Sequence, residues 1–389
     1  MKKIAFLIRE LSYGGAEKQL VTLAKALDVR GFDVTVLCFY PNGAFEKDFT
    51  GTTVKIVSLE KQGRWDAIAF LGRLLSQLRR IQPDVLHTYL PDSNVIAIFL
   101  KPFLPKTKII WGIRHSNWGI IQPNQKKDKQ FVNWDGAQNT LLQLERKLAR
   151  FADLIIVNSY AGQKYHLLKG FPAENITVIP NGIDIDRFQI NPQARLSIRK
   201  EWDILPNTIL IGLVGRLAPM KDHTTFLQAA ALLCQERQDL RFVCIGKEQQ
   251  PDYAKQIYEL TKQLGISDRV IWTGARSDMT DIYNALDIVV STSAYGEGFS
   301  NAIGEAMACG KPCIVTDVGD SAWILGNQGF VIPPGKPQAL QSAVLQLIME
   351  MSLGNYTQSE VRQRIVENFS VPQLLQKTES NLLSLFNHN

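Results

Sequence analysis

A chain of 389 residues, 45% hydrophobic and 21% charged, is long enough for two globular domains and is not built like a disordered or fibrous protein. No apolar run reaches the length of a membrane-spanning helix. The net charge of +6 is uneven: residues 1–195 hold 27 Lys+Arg against 17 Asp+Glu, and residues 196–389 hold 16 against 20. A basic first half can be drawn to anionic lipid or phosphorylated small molecules, but no nucleic-acid-binding motif accompanies the charge. Five scattered cysteines (Cys38, Cys234, Cys244, Cys309 and Cys313) follow no metal-type spacing and fit a reducing cytoplasm.

In chain order, strands alternate with helices. Ile4–Ile8 is apolar and continuous, as a buried parallel strand should be, and Arg9 and Glu10 end it too soon for a signal peptide. Gly14-Gly15 follows, then a helix with Leu20, Leu23, Ala24 and Leu27 on one face. Strands are expected at Val34–Phe39, Val54–Leu59, Asp84–His87, Lys108–Ile113, Leu154–Asn158 and Ile176–Ile179, with helices between most of them. Residues 190–208 make a poor core and carry two prolines, so the domain boundary is placed there. The second half repeats the grammar, with strands at Ile209–Val214, Arg241–Gly246, Val270–Thr273, Asp287–Ser291, Cys313–Thr316 and Gly329–Ile332. Val371–Phe386 reads as a last amphipathic helix. The natural architecture is α/β: two Rossmann-like βαβ domains in tandem, facing a central cleft. Ligands of such sheets bind beyond the carboxyl ends of the strands.

Two stretches carry the chemistry. In the first, Gly215-Arg216-Leu217-Ala218-Pro219-Met220-Lys221-Asp222 follows the strand Ile209–Val214 and ends where Asp222 can cap a helix. Two cations between a strand end and a helix start make an anion site, unless both are merely solvated. In the second, Gly296-Glu297-Gly298-Phe299-Ser300-Asn301 leads into a short helix with Ser300 as its cap, Glu305 as its only charge and Gly310 as its stop. A carboxylate on so apolar a helix needs a polar partner. Two carboxylates suit hydroxyl-rich ligands and N–H groups at a helix start suit phosphate, which together suggest a nucleotide sugar. Elsewhere, Arg114-His115-Ser116 ends an N-terminal strand, and His115 is expected to face the cleft. Asp184-Ile185-Asp186 after the Pro180-Asn181-Gly182 turn reads as structural, so no metal is expected. Both the dinucleotide fingerprint and the Walker A pattern are absent.

The order of these motifs resembles a GT-B fold glycosyltransferase of the large retaining family 4. The motifs are Gly14-Gly15-Ala16-Glu17, Pro180-Asn181-Gly182-Ile183-Asp184, the Gly215-Arg216…Lys221 loop, and Glu297 with Glu305. The likeness covers essentially the whole chain. It implies a metal-independent enzyme, needing no cofactor, that moves a hexosyl unit from a nucleotide sugar, by default a UDP-sugar. The implied acceptor is a hydroxyl of a glycan or lipid-linked saccharide, as in polysaccharide or glycolipid synthesis.

Residues 1–190, joined by the last helix at 371–389, would bind the acceptor, and residues 191–370 the donor. Arg216 and Lys221 would hold the diphosphate, with Gly215 beneath them. Glu305 would bind the ribose and Glu297 the transferred sugar, near the amides of Gly298, Phe299, Ser300 and Asn301. Gly15 would approach the phosphates from across the cleft, and Arg276 would lie in the loop neighbouring the base. His115 would be the family's cleft histidine. A nucleotide-sugar epimerase, a phosphorylase and a non-catalytic nucleotide-sugar-binding relic are the alternatives on this fold. Lys101–Lys108, Arg114 and Lys126–Lys129, with Trp118 and Trp134, could dock on an anionic membrane, placing a cytoplasmic enzyme at the inner face of the plasma membrane.

Overall fold

The computed structural model describes residues 2–63, 65–114 and 136–387. The chain divides into two compact units, Met1–Gly182 with Val371–Asn389, and Ile183–Ser370. Each is a parallel sheet with helices on both faces, the α/β class read from the sequence.

The first unit contains β1 (Lys3–Ile8), β2 (Asp33–Cys38), β3 (Lys55–Ser58), β4 (Val85–Tyr89), β5 (Lys108–Ile113), β6 (Leu154–Val157) and β7 (Ile176–Val178). They lie in the order β3-β2-β1-β4-β5-β6-β7. Alternate residues of each strand feed two separate cores, as the twofold repeat of a pleated strand requires. Phe6, Val36, Tyr89 and Ile110 pack with Leu20, Leu23 and Leu27 of the helix Gly15–Val29 and with Leu374, Leu375 and Leu382 of Val371–Asn387. Leu7, Leu37, Trp111 and Val157 pack on the other face with Phe70, Leu74 and Leu78 of the helix Ala67–Ile81. The last helix thus folds into the first unit, and Gly182 sits so close to it that a Cβ there would lie 2.8 Å from a methyl of Leu374.

In the second unit β8 (Ile209–Val214), β9 (Leu240–Ile245), β10 (Val270–Gly274), β11 (Ile288–Ser291), β12 (Cys313–Thr316) and β13 (Gly329–Ile332) lie in the order β10-β9-β8-β11-β12-β13. The order reverses between β8 and β11. That reversal leaves an opening beyond the carboxyl ends of the two strands, where loops diverge to opposite faces.

The stretch at 190–208 is not a linker. Residues 192–201 form the helix Pro192–Glu201, capped by Asn191, whose side chain accepts from Gln193 and Ala194 N–H. Its inward face combines apolar Ala194 and Ile198 with a buried cation: Arg199 is 5% exposed and, with Arg195, binds Asp287 and carbonyl oxygens at 284–286. The division falls earlier in the chain, because Ile183 and Phe188 belong to the second core with Phe299 and Ile303. Ile183 N–H also donates to Phe369 O at 2.7 Å.

The helix Asn301–Ala308 is buried along all but its first two residues. Gly310, at φ +70°, ends it: Gly310 N–H donates to Met307 O and Lys311 N–H to Ala306 O, closing a Schellman motif. A Cβ on Gly310 would lie 2.8 Å from Gln358 Cβ and 3.0 Å from its carbonyl oxygen. Gly335, at φ +67°, has nothing within 4 Å. Gly335→Ala is therefore expected to cost about 1 kcal/mol of backbone strain, and Gly310→Ala about 2–4 kcal/mol, because overpacking is added. Urea-unfolding midpoints of the two variants compare them, and equal costs would show that the Gln358 contact yields freely.

Candidate active site

The site is assembled from the loops that follow β8, β11 and β12. After β8, Gly215 N–H still pairs with Ile245 O, and Leu217 N–H with Lys247 O. The chain then turns through a short 3-10 helix, Pro219–Lys221, to Asp222. Asp222 adopts φ +46° and caps the next helix, accepting from Thr225 N–H at 3.1 Å. Arg216 is exposed on this loop and makes no ion pair among the described residues. Lys221 instead lays its methylenes over Gly215, where a Cβ would come within 3.2–3.3 Å of them.

Beyond that glycine, Lys221 Nζ meets Glu297 Oε1. The loop after β11 delivers this carboxylate. Its approach is set by Thr292, whose hydroxyl donates to Lys221 O (2.8 Å) and Asp222 O (3.0 Å), and by Ala294 N–H, which donates to Met220 O (2.8 Å). Ser293 Oγ donates to the same Glu297 Oε1 at 2.7 Å. After β12, Thr316 Oγ1 donates to Ser293 O at 2.6 Å and Asp320 N–H to Gly298 O at 3.0 Å. Gly319, at φ +63°, packs so closely that a Cβ would lie 2.5 Å from Glu297 O.

Glu297 is 7% exposed. Burial pushes its carboxyl up, but Lys221, Ser293 and the nearby Arg216 outweigh burial and hold it below the usual glutamate range. The site therefore rests with an ionised carboxylate paired to Lys221, beside an arginine that makes no ion pair among the described residues.

Glu305 lies one turn into the helix Asn301–Ala308 and is 6% exposed. One partner is Tyr283, whose hydroxyl donates to Glu305 Oε2 at 3.2 Å. Burial and the neighbouring carboxylate push the Tyr283 phenol far up, so it remains a donor. Ser300 occupies the cap position but makes no side-chain cap bond. Phe299 turns into the core, its ring 5.4 Å from that of Phe369, so only its main chain is available to the loop.

Arg216, Lys221, Glu297 and Glu305 thus come from loops and a helix at one edge of one sheet, together with Gly215, Gly298 and Ser300. Asn301 opens the helix. Arg276 stands apart, after the edge strand β10, and both faces of its guanidinium are engaged. It forks onto Asp278 (2.8 and 2.6 Å) and Glu201 (2.7 and 3.2 Å). Sequence reasoning missed Tyr283, Ser293, Thr316 and Gly319. Of these, only Gly319 gave a signal, as a glycine just past a strand neighbouring the Glu297 loop.

In the first unit the strand order reverses between β1 and β4. Gly15 opens the helix after β1 and is exposed. Past β5, Arg114 donates to Tyr89 Oη (2.7 Å) and Asn181 Oδ1 (3.1 Å) and stacks on the Tyr89 ring. His115 lies outside the described residues, as do Trp118, Lys126–Lys129 and Trp134. Lys101 is bound to Asp153 (2.8 Å) and Phe151 O (2.7 Å). Asp184 closes a turn by accepting from Asp186 and Arg187 N–H, the structural role expected of it. Among the described residues no group of three His, Cys, Asp or Glu could hold a metal, and no helix is long and apolar enough to cross a membrane.

Two doubly wound parallel-sheet units, with a lysine–glutamate pair and a free arginine at a switch point, define the chain as a glycosyltransferase of GT-B fold. It belongs to glycosyltransferase family 4: residues 13–187 match the family described as Glycosyltransferase Family 4 and residues 208–350 match Glycosyl transferases group 1. It is 31% identical over 299 residues to D-inositol 3-phosphate glycosyltransferase of Corynebacterium urealyticum, covering 72% of this chain and 68% of the relative. It is 28% identical over 208 residues to the Escherichia coli UDP-Gal:alpha-D-GlcNAc-diphosphoundecaprenol alpha-1,3-galactosyltransferase, covering 52% of each chain. Among solved structures, Anabaena HepE in complex with UDP and glucose superposes with a TM-score of 0.82 at 25% identity, over 99% of this chain and 100% of that one. The protein is an enzyme that transfers a sugar from a donor to an acceptor.

The Lys221–Glu297 pair makes a signed prediction. With its carboxyl held low, Glu297 contributes stability that is present at neutral pH and lost as pH falls through that lowered value. Lys221→Met leaves burial unopposed by the lysine, so the carboxyl rises and the contribution falls away from a higher pH. The melting-temperature gap between wild type and Lys221→Met should be widest near pH 7 and narrow toward acid. A gap independent of pH would refute the pairing.

Proposed function

We propose that the enzyme moves a hexosyl unit, with retention of configuration, from a UDP-sugar to a hydroxyl of a saccharide or lipid-linked saccharide. The observation that carries this reading is the convergence of Arg216, Lys221 and Glu297 at the β8/β11 reversal, with Glu305 on the adjoining helix. UDP is favoured by the nucleotide seen in the Anabaena structure and by the donor named for the Escherichia coli relative. A phosphate-bearing or lipid-diphosphate acceptor is favoured by the names of both curated relatives.

On this reading the leaving diphosphate takes Lys221 as its counter-ion and Arg216 as a second, while the amides from Gly298 to Asn301 lend the dipole of the helix start. Glu297, still held by Ser293, turns to hydroxyls of the transferred sugar. Glu305 accepts from the ribose hydroxyls. Catalysis is then electrostatic: cations fixed in advance stabilise charge as it grows on the leaving group, and the departing phosphate takes the acceptor proton. The loop carrying Arg276 lends main chain to the base, and Arg276 anchors that loop through Asp278 and Glu201. The first unit holds the acceptor, with His115 and Gly15 contributing from it. An acceptor on a lipid carrier would place the enzyme in the cytoplasm against the inner membrane face.

Lys221→Ala and Arg216→Ala should each lower turnover with a UDP-sugar donor on the order of 10²–10³, by analogy with lost oxyanion donors. Near-normal transfer by Lys221→Ala would overturn its role, and an inverted anomeric centre in the NMR spectrum of the product would overturn retention. In a low-salt flotation assay the enzyme should rise with anionic vesicles and not with neutral ones, and indifference to charge would remove the membrane reading.

A further inference from the structure

Glu305 does not stand alone in its helix. Tyr283, 22 residues earlier, reaches it from a different element, the helix Met279–Ala285. The Tyr283 ring is fully buried in the core, 6.0 Å from the ring of Phe188, and only its hydroxyl leaves the apolar surroundings. The backbone behind it is held unusually firmly. Asn284 donates to Gln189 O (2.8 Å) and Thr280 O (2.9 Å) and accepts from Asn191 N–H (2.8 Å). The carbonyls of Asn284 and Ala285 are taken by Lys311 (3.0 Å), Arg195 (3.1 Å) and Arg199 (3.2 Å). A phenol on so fixed a base has little freedom, and a hydrogen bond from it sets both the rotamer and the plane of the carboxylate it meets.

We infer that Tyr283 is a positioning residue for nucleotide recognition: its hydroxyl orients Glu305 so that the carboxylate meets the ribose hydroxyls of the donor in a fixed plane. The inference rests on the reading of Glu305 as the ribose-binding group. A carboxylate that must meet two vicinal hydroxyls gains from being held before the ligand arrives, because its rotamer freedom is already lost. Removing the phenolic oxygen takes away this restraint on the carboxylate, and the loss falls on the ribose contact. A phenol that merely satisfied a buried charge would act through stability and be indifferent to the sugar of the nucleotide.

The test is a comparison of UDP with 2′-deoxy-UDP and 3′-deoxy-UDP by calorimetric titration, on wild type, Tyr283→Phe, Glu305→Gln and the double variant. Wild type should prefer UDP to at least one deoxy analogue by about tenfold or more, the scale of a hydrogen bond to a charged group. Tyr283→Phe should cut that preference to a few-fold while leaving affinity for the deoxy analogue in place. In the Glu305→Gln background it should change nothing further. Equal weakening of all three nucleotides by Tyr283→Phe, an unchanged preference, or effects that add in the double variant would each overturn the inference. Absence of any ribose preference in wild type would instead overturn the assignment of Glu305 itself. Should Tyr283→Phe melt too low to titrate, the rise in its melting temperature with each of the three nucleotides at saturation is compared instead, with the same outcomes.

Discussion

The ion pair between Lys221 and Glu297 is the constraint around which the second unit's working edge is built. The partners come from loops 76 positions apart and meet with most of their surface withdrawn from water. Removing two charges from water costs several kcal/mol per ion, which mutual attraction recovers only if the geometry is good and the remaining oxygens are bonded. The surrounding contacts supply that geometry. Thr292 and Ala294 fasten the β11 loop to the turn that carries Lys221, Ser293 supplies a second donor to Glu297, and Thr316 fixes the main chain of Ser293. A buried pair is weak evidence of stability, so such a surround is better understood by what the pair is kept ready to do. When a diphosphate arrives, Lys221 exchanges one anion for another, and Ser293 keeps Glu297 from being stranded.

The sequence disclosed features governed by local rules. Continuous apolar runs revealed the strands because a parallel sheet covered on both faces buries every position. The β8 loop was readable because a strand end, two cations and an aspartate cap fell together, and the stop at Gly310 because a left-handed residue there must be small. What stayed hidden depended on pairs distant in sequence. Glu305 could be seen to need a partner, but nothing in the pattern around Tyr283 marked it as that partner rather than another core aromatic. The helix Pro192–Glu201 was missed for a related reason. Its buried face holds only Ala194 and Ile198 as apolar residues, with Arg199 buried beside them and Arg195 at its edge, so the apolar period by which helices are recognised is too short to read.

Two arginines show how far a charge can be read from sequence. Arg216 and Arg276 both follow a strand of the same sheet, and both were expected at the donor, Arg216 on the diphosphate and Arg276 in the loop neighbouring the base. Arg276 is held by Asp278, two residues on, and by Glu201, on a helix 75 positions away, so its fork is already filled. Among the described residues Arg216 has no such carboxylate, and it leaves its field for the site, where it helps keep Glu297 ionised. Position made both candidates, and only the three-dimensional surround separated an anchor from a free cation.

Glycine explains why the charges can stand where they do. The carboxyl ends of β8, β9 and β10 are marked by Gly215, Gly246 and Gly274, with Gly246 N–H donating to Gly274 O. A Cβ on Gly246 would lie 2.0 Å from Gly215 O, so adjacent backbones close together at this edge with nothing between them. Lys221 crosses over the bare main chain of Gly215, and Gly319 presses on the carbonyl of Glu297 from the other side. The Gly319 crossing has no room for a methyl group, and at Gly215 one would press on the Lys221 methylenes at 3.2–3.3 Å. The positions of cation and carboxylate are therefore set by packed main chain rather than by long side chains searching for each other. Fixed charges of this kind stabilise a developing charge without first having to reorganise. The precision of the site thus originates in residues that contribute no functional group at all.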